Sequence, residues 1–542
     1  MMKQFHGRML RIFCSFMALF SLLFLRIGSL SSGETLAETA NRQSSFTLTV
    51  EKTRGTIYDS KMRPLTGTKE KYVAAVVPSE ENEARILSDS RFLAERSTLL
   101  EKLSEGYPFL TEVSGEIPDI PQVTVFHSSE RYAEDALASH IIGYTNGDGD
   151  GVSGIEQAYD SLLSDVSAKT TITYTVDALR RPLAGAEPEI NLAPEPVEGV
   201  VLTIDKRLQE ICEEVGSKYL KKGSVVLMEA ATGKLRACAS FPDYDPADIA
   251  AAIIDTENAP LVNRAFSAYN VGSVFKAVTA SAALNEGISP PDDYFCTGQV
   301  TVGDTDFHCY TRTGQGKLDL NAAMTKSCNP YFIMLGLSCD PERFYATASD
   351  FSFGTATVFA PGMAAAAGTL PSAAELSSKG ACANFSFGQG SLTATPVQIA
   401  QMLSGIVNGG CVMQASLVEG TTKDGSFVSE PTETAAPVRA VTAETASRVK
   451  EALVRSVMDN EEHKARPRYV SAGGKTGTAQ TGRFHEDGTE ILQGWFAGFF
   501  PAEEPQYILV VLAEDAEHGS SDAAPVFQEI VNRMTSRPAQ QG

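Results

Sequence analysis

Apolar and polar positions follow three different periods along this chain, and each period predicts a different kind of element. Ile12 to Leu25 is an apolar run interrupted only by Ser15 and Ser21, the pattern of a helix in a membrane. From residue 200 onward the pattern becomes that of packed strands and amphipathic helices. Val200 to Ile204 reads as a strand, and Asp205 is a good N-cap for a helix over Lys206 to Tyr219. Ser224 to Met228 and Leu235 to Ser240 read as two strands joined by Ala231-Thr-Gly-Lys234, a hairpin signal. Val274 to Leu284 is rich in Ala, Val and Leu with few breakers, which predicts a helix starting near Ser273. Trp495 to Phe500 and Tyr507 to Leu512 form a second strand pair around the turn Pro501 to Gln506. Val526, Phe527, Ile530 and Val531 recur at helical spacing within a last helix, Ala523 to Met534. Helices laid on an antiparallel sheet make this region α+β.

The N-terminal run changes where the rest of the chain is placed. It follows Lys3, Arg8 and Arg11, and the uncharged stretch is shorter than the ~20 residues of a usual spanning helix. Arg26 can extend to the interface and let the span reach Leu30. The competing reading is a cleaved signal peptide, with Thr35-Leu-Ala37 as the cleavage region. Both readings put the remainder outside the cytoplasm, with the basic N-terminus inside. Residues 31–50 are polar and read as a stalk. Arg54-Gly-Thr-Ile-Tyr-Asp59 reads as a strand entering a turn. Short strands (Tyr72 to Val77, Gln122 to Phe126) and helices within Glu83 to Leu103 follow. Asn146 to Gly151 reads as a solvated turn; its Asp148 and Asp150 lack the remaining ligands of a calcium loop. The Pro/Glu/Ala-rich stretch Pro182 to Glu198 marks a boundary. The expected division is an anchor at 1–30, a stalk at 31–50, one domain at 51–195 and another at 196–542.

Composition mainly excludes. The 542 residues carry a net charge of −22, so no basic surface is available to release counterions from nucleic acid. There is no Walker loop, Rossmann fingerprint or His-Glu-x-x-His, and the seven His are scattered, so no metal or cofactor is expected. The nine cysteines are too few for a disulfide scaffold at this length. Cys296 and Cys309 flank a Thr/Val/Gly/Asp stretch that reads as a hairpin, where an extracytoplasmic disulfide would be in reach.

The candidate chemistry centres on Ser273 and Lys276. Three residues apart on a helix, they lie on one face. Unpaired N–H groups and the positive dipole end at a helix N-terminus suit a nucleophile whose attack creates negative charge. Ser-x-x-Lys alone is a common accident. Two further triplets follow in order: Ser327-Cys-Asn329, and Lys475-Thr-Gly477 continued by Thr478. Each is weak alone, a capped turn or a surface strand end. Together they are the set of penicillin-binding proteins and class A β-lactamases.

On these motifs the chain resembles the class B penicillin-binding proteins, bacterial peptidoglycan transpeptidases, over nearly its whole length. Arg54-Gly-Thr-Ile-Tyr-Asp59 is similar to the box that opens their pedestal domain. His140-Ile-Ile-Gly-Tyr144 and Gly151-Val-Ser-Gly-Ile-Glu-Gln-Ala-Tyr-Asp160 are similar to its closing boxes. Leu202-Thr-Ile-Asp205 with Leu208-Gln209 resembles the start of the transpeptidase domain. Gly388-Gln-Gly390 with Thr395-Pro396 resembles its later Gly-Gln-Gly…Thr-Pro element. Val271 replaces a usual proline, Gln315 a common histidine, and Ser60-Lys61-Met62 departs from the usual Arg/Asn-Gly.

The resemblance implies a membrane-anchored D,D-transpeptidase that crosslinks stem peptides and is acylated by β-lactams. Ser273 would be the nucleophile and Lys276 its base, with a pKa lowered by burial and by Lys475. Ser327 would relay a proton to the leaving amine, and Asn329 would hold the substrate amide and the lysine. Lys475, Thr476 and Thr478 would bind the terminal carboxylate, and the N–H groups of Ser273 and Thr478 would form the oxyanion hole. A side chain at Gly477 would crowd a ligand along the strand edge. The resemblance also implies a polytopic glycosyltransferase partner. Three other readings compete: a D,D-carboxypeptidase or β-lactamase, a β-lactam-binding receptor, and a non-catalytic cell-wall scaffold.

Overall fold

The apolar strands of the C-terminal half build one antiparallel sheet in the computed structural model, which describes residues 2–31, 44–133, 135–183, 185–193 and 198–536. Its strand order is Leu235–Phe241, Gly223–Glu229, Tyr507–Ala516, Glu490–Phe500, Gly473–Phe484. The two hairpins read from sequence are both present, with Leu235 opposite Met228 and Phe500 opposite Tyr507. The fold is α+β.

Helices cover both faces of this sheet, so its strands read as almost continuous apolar runs. Val225, Leu227, Leu509, Val511, Phe496 and Phe500 face one side. They pack with Leu208, Cys212 and Val215 of helix Lys206–Tyr219 and with Val526, Phe527, Ile530 and Val531 of helix Ala523–Thr535. Their neighbours Val226, Met228, Val510, Leu512, Trp495 and Ala497 face the other side. There they join Val274, Phe275 and Val278 and, from helix Pro396–Val407, Val397, Ala400 and Leu403. That last helix is buried all round, and Thr395 starts it through a capping box with Gln398. Each buried aliphatic or aromatic side chain contributes about 1.5–3 kcal/mol. Asp205 caps its helix as expected, accepting from the N–H groups of Arg207 and Leu208.

The described residues fall into two units. One comprises Met1–Thr53, Lys69–Glu130 and Val166–Glu195; the other comprises Arg54–Thr68, Arg131–Asp165 and Pro196–Gly542. The smaller unit carries a three-stranded antiparallel sheet with Lys69–Val76 between Phe109–Val113 and Val123–Glu130. The helical stretch expected over Glu83 to Leu103 is two helices, Glu83–Ser88 and Arg96–Glu105. The expected boundary at 51–195 cuts differently from these units, because 54–68 and 131–165 pack with the larger one. Thr56–Tyr58 pairs in parallel with Gly199–Leu202, which places the first motif box beside the strand that opens the 196–542 segment. Asn146 to Gly151 is a turn closed by Asn146 Oδ1, which accepts from the N–H groups of Asp148 and Asp150.

Glu156 ties these early boxes together. Its fully buried carboxylate accepts from Arg54 Nε at 2.6 Å, Arg131 Nε at 2.7 Å and the Tyr132 hydroxyl at 3.0 Å. Truncation would leave the Arg131 guanidinium without its counter-charge and Arg54 with Asp160 alone, 2.9 Å away. Glu156→Ala is therefore expected to destabilise the larger unit by about 3–5 kcal/mol, read as a lowered midpoint in urea unfolding. An unchanged midpoint would show that the network is solvated.

The apolar N-terminal run lies within helix Met2–Ser31. His6–Ser29 is long and apolar enough to cross a membrane and is not covered by the rest of the chain. The Thr35-Leu-Ala37 cleavage region lies outside the described residues.

Candidate active site

The helix expected from Ser273 begins with a 3-10 turn, Gly272–Phe275, and continues as an α-helix over Lys276–Asn285. Gly272 makes this entry feasible. Its φ is +64°, and a Cβ there would sit 2.8 Å from the Thr478 carbonyl oxygen. Its N–H donates to the Gly388 carbonyl at 2.8 Å, which gives the Gly-Gln-Gly box a local role. Backbone meets backbone here, and Ser273 is thereby set against the edge strand Gly473–Phe484.

Lys276 is completely buried, and its Nζ is the hub of the site. It lies 3.0 Å from Ser273 Oγ, 2.9 Å from Ser327 Oγ, 2.8 Å from the Ser327 carbonyl and 2.6 Å from Asn329 Oδ1. It also stands 5.7 Å over the Phe332 ring. Burial, and after it the charge of Lys475, holds the Lys276 amine well below its ordinary pKa. Ser327 adopts φ +51°, a left-handed turn between helices Leu320–Thr325 and Asn329–Leu337. That turn directs its side chain and its carbonyl to the same amine. Asn329 is fixed from its other end, where Nδ2 donates to the His308 carbonyl at 3.2 Å.

Lys475, Thr476, Gly477 and Thr478 lie on the edge strand, whose other side pairs with Glu490–Phe500. Lys475 is buried, and burial lowers its pKa to about 8. Its Nζ donates to the Thr476 carbonyl at 3.0 Å. Thr478 Oγ1 accepts from the Gly519 N–H at 3.2 Å. Gly477 is crowded by the protein itself: a Cβ would lie 3.2 Å from Trp495 Cβ and from Val274 Cγ1, and 3.3 Å from the Val271 carbonyl. A side chain there would be tight against the Ser273 turn and the neighbouring strand, which would have to yield by a few tenths of an ångström.

Ser273, Lys276, Ser327 and Asn329 thus form one hydrogen-bonded group, and Lys475 acts on it through its charge. Several supporting residues escape sequence reading. Trp495 Nε1 donates to the Asn270 carbonyl at 2.9 Å, and Gln493 Oε1 accepts from the Asn270 N–H at 2.9 Å. Only the single tryptophan of the chain offered a hint. Gln315, where the resembling proteins often have histidine, donates from Nε2 to the Lys326 carbonyl at 3.0 Å, next to the Ser327 turn.

Seven of the nine cysteines are buried, Cys411 is half-buried and Cys14 is exposed. All nine are free thiols. Cys296, Cys309 and Cys328 are buried together, with Sγ atoms within 4.8 Å of one another. The disulfide within reach of Cys296 and Cys309 is not formed; both are free thiols, and Cys328 lies with them.

Comparison with known proteins identifies the domain that carries these residues. A family model described as the penicillin binding protein transpeptidase domain matches residues 223–532. The chain belongs to this family. It is 27% identical over 535 residues to stage V sporulation protein D of Bacillus subtilis, covering 92% of this chain and 80% of that one. It is 30% identical over 327 residues to the peptidoglycan D,D-transpeptidase PbpA of Mycolicibacterium smegmatis, covering 56% of this chain and 65% of that one. Among solved structures, the D,D-transpeptidase domain of a peptidoglycan glycosyltransferase from Eggerthella lenta shares the fold. The TM-score is 0.63 at 24% identity, covering 89% of this chain and 99% of that one.

Proposed function

We propose that this chain is a membrane-anchored D,D-transpeptidase that crosslinks peptidoglycan stem peptides through an acyl-enzyme on Ser273, and that β-lactams acylate the same serine. The observation that carries this reading is the buried Lys276 amine, 3.0 Å from Ser273 Oγ and held by Ser327 and Asn329. Burial and the charge of Lys475 depress the pKa of this amine, which favours the neutral form that can accept the Ser273 proton across that contact. Ser273 Oγ then attacks the penultimate D-alanyl carbonyl. The N–H groups of Ser273 and Thr478 receive the oxyanion, an arrangement worth about 3–4 kcal/mol per donor. The C–N bond breaks, and the proton reaches the departing D-alanine amine through Ser327. An acceptor amine reverses these steps and takes the acyl group. Lys475, Thr476 and Thr478 bind the donor's terminal carboxylate.

The larger unit carries this chemistry. Helix Met2–Ser31 anchors the chain with Lys3, Arg8 and Arg11 on the cytoplasmic side and the catalytic unit outside. A polytopic glycosyltransferase that supplies glycan strands is the expected partner.

The test is covalent labelling of the full-length protein in detergent by a fluorescent penicillin. Label that forms and persists for hours supports a transferase. Label that forms and is lost within minutes means a hydrolase, and absence of label on folded protein favours the scaffold reading.

The two lysines also predict a pH profile. The carboxylate grip needs charged Lys475, which is protonated below about pH 8 and loses its charge above it. The base needs neutral Lys276, which is favoured as pH rises. The second-order acylation rate should therefore rise with pH to a maximum and then fall above about pH 8. In Lys475→Arg the guanidinium keeps its charge, so the alkaline fall should disappear whatever the absolute rate. A fall that persists in Lys475→Arg assigns the upper limb to another group.

A further inference from the structure

Beside the proposed acyl-transfer group lies a second constellation that this chemistry does not use. Cys296, Cys309 and Cys328 are all at most 2% exposed, and their three Sγ atoms lie within 4.8 Å of one another. They come from three separate pieces of backbone, each pinned. Cys296 ends strand Tyr294–Cys296, pairs with Gly316 and accepts at its carbonyl from the Gln315 N–H at 3.1 Å. Cys309 follows strand Thr305–His308 and donates its N–H to the Gly298 carbonyl at 2.8 Å. Cys328 donates its N–H to the Ala323 carbonyl at 3.0 Å. Three thiols converging from fixed backbone form a pocket of sulfur, and among the described residues no histidine or carboxylate belongs to the cluster.

Sulfur atoms bound to one metal at about 2.3 Å stand roughly 4 Å apart. The observed separations reach that geometry through small side-chain rotations. An all-thiolate set selects soft ions and disfavours hard, oxygen-seeking ones such as magnesium and calcium. We propose that Cys296, Cys309 and Cys328 form a three-coordinate thiolate site for a soft closed-shell cation of the Cu(I) class. Binding breaks three S–H bonds, releases three protons to solvent and forms three metal–sulfur bonds, with no change of oxidation state.

The position of the site gives it a consequence. Cys328 is the middle residue of the turn whose flanking Ser327 and Asn329 hold Lys276 Nζ. Rotating Cys328 Sγ onto a metal alters the packing beneath Ser327 and Asn329, so occupancy should slow acylation of Ser273 severalfold.

The experiment uses the full-length protein in detergent, with its thiols reduced and the reductant removed under anaerobic conditions. Cu(I) is supplied as its coloured bathocuproine disulfonate complex, and transfer to the protein is read as loss of colour. Transfer of one equivalent is expected, with X-ray absorption showing a shell of three sulfurs and no nitrogen or oxygen. Cys296→Ser and Cys309→Ser should each weaken uptake by about 100-fold or more, while Cys212→Ser leaves it unchanged. Melting curves report whether each variant is folded. If a cluster variant fails to fold, the sulfur shell on the wild-type protein decides. No transfer, transfer that survives in a folded cluster variant, or a shell containing nitrogen or oxygen would each overturn the site. Acylation unchanged by bound Cu(I) would overturn its coupling to Lys276.

Discussion

Ser273→Ala should abolish covalent labelling by penicillin while leaving the fold intact. The effect is the largest expected because no other group can take the place of the missing oxygen. Removing the nucleophile of an acyl-transfer group costs about 10⁴-fold or more, and no covalent adduct can form by this route. The fold should tolerate the change for structural reasons. Ser273 is partly exposed in a 3-10 turn whose backbone is held by the Gly272–Gly388 contact. Lys276 Nζ loses one partner but keeps the Ser327 carbonyl, Ser327 Oγ and Asn329 Oδ1, at 2.8, 2.9 and 2.6 Å. The measurement is gel fluorescence after penicillin labelling, with a melting curve of the same sample. Loss of label with a preserved melt supports the assignment. Label at the wild-type rate would mean that a different residue is the nucleophile, and the proposed mechanism would fail with it.

Lys276→Met should produce the second largest effect, a fall of about 10²–10⁴-fold in the acylation rate, the range expected for losing a positioned general base. Methionine is chosen because it is unbranched, of similar length, and able to fill the buried volume over the Phe332 ring. Folding energy should change less than activity. The variant no longer buries an amine, which helps, but it leaves Asn329 Oδ1 and Ser327 Oγ without the Nζ donor, which costs about 1–3 kcal/mol for a buried acceptor. The decisive reading is the acid limb of the pH–rate profile. Wild type should lose activity as pH falls and Lys276 becomes protonated. The variant should be slow and lack that limb. A rate within tenfold of wild type, with the limb retained, would remove Lys276 from the role of base.

Ser327 and Asn329 act on Lys276 from one turn, so their effects should not add to that of Lys276→Met. The same logic applies to the edge strand. In the proposed mechanism Lys475 influences the reaction through its charge and through its grip on the donor carboxylate, and both effects vanish together when it loses its proton.

The sequence by itself determined a good deal. Short apolar runs bounded by turn residues marked the strands and two hairpins of the sheet, because strands covered on both faces are apolar throughout, and helical spacing marked the last helix. The ordered triplets at Ser273, Ser327 and Lys475 pointed to the family, because each supplies a functional group that the proposed acyl transfer would use. Tertiary structure alone decided the rest. Residues 54–68 and 131–165 pack with the larger unit because Thr56–Tyr58 pairs with Gly199–Leu202 and Glu156 neutralises Arg54 and Arg131, contacts far apart along the chain. Gly477 is confined by Trp495 and Val274, although a ligand at the strand edge was the expected reason. The three thiols meet because a hairpin and a left-handed turn at Ser327 bring separate strands to one point. Local pattern encodes which face of an element is buried; which distant side chain lies against that face depends on the packing of the folded chain.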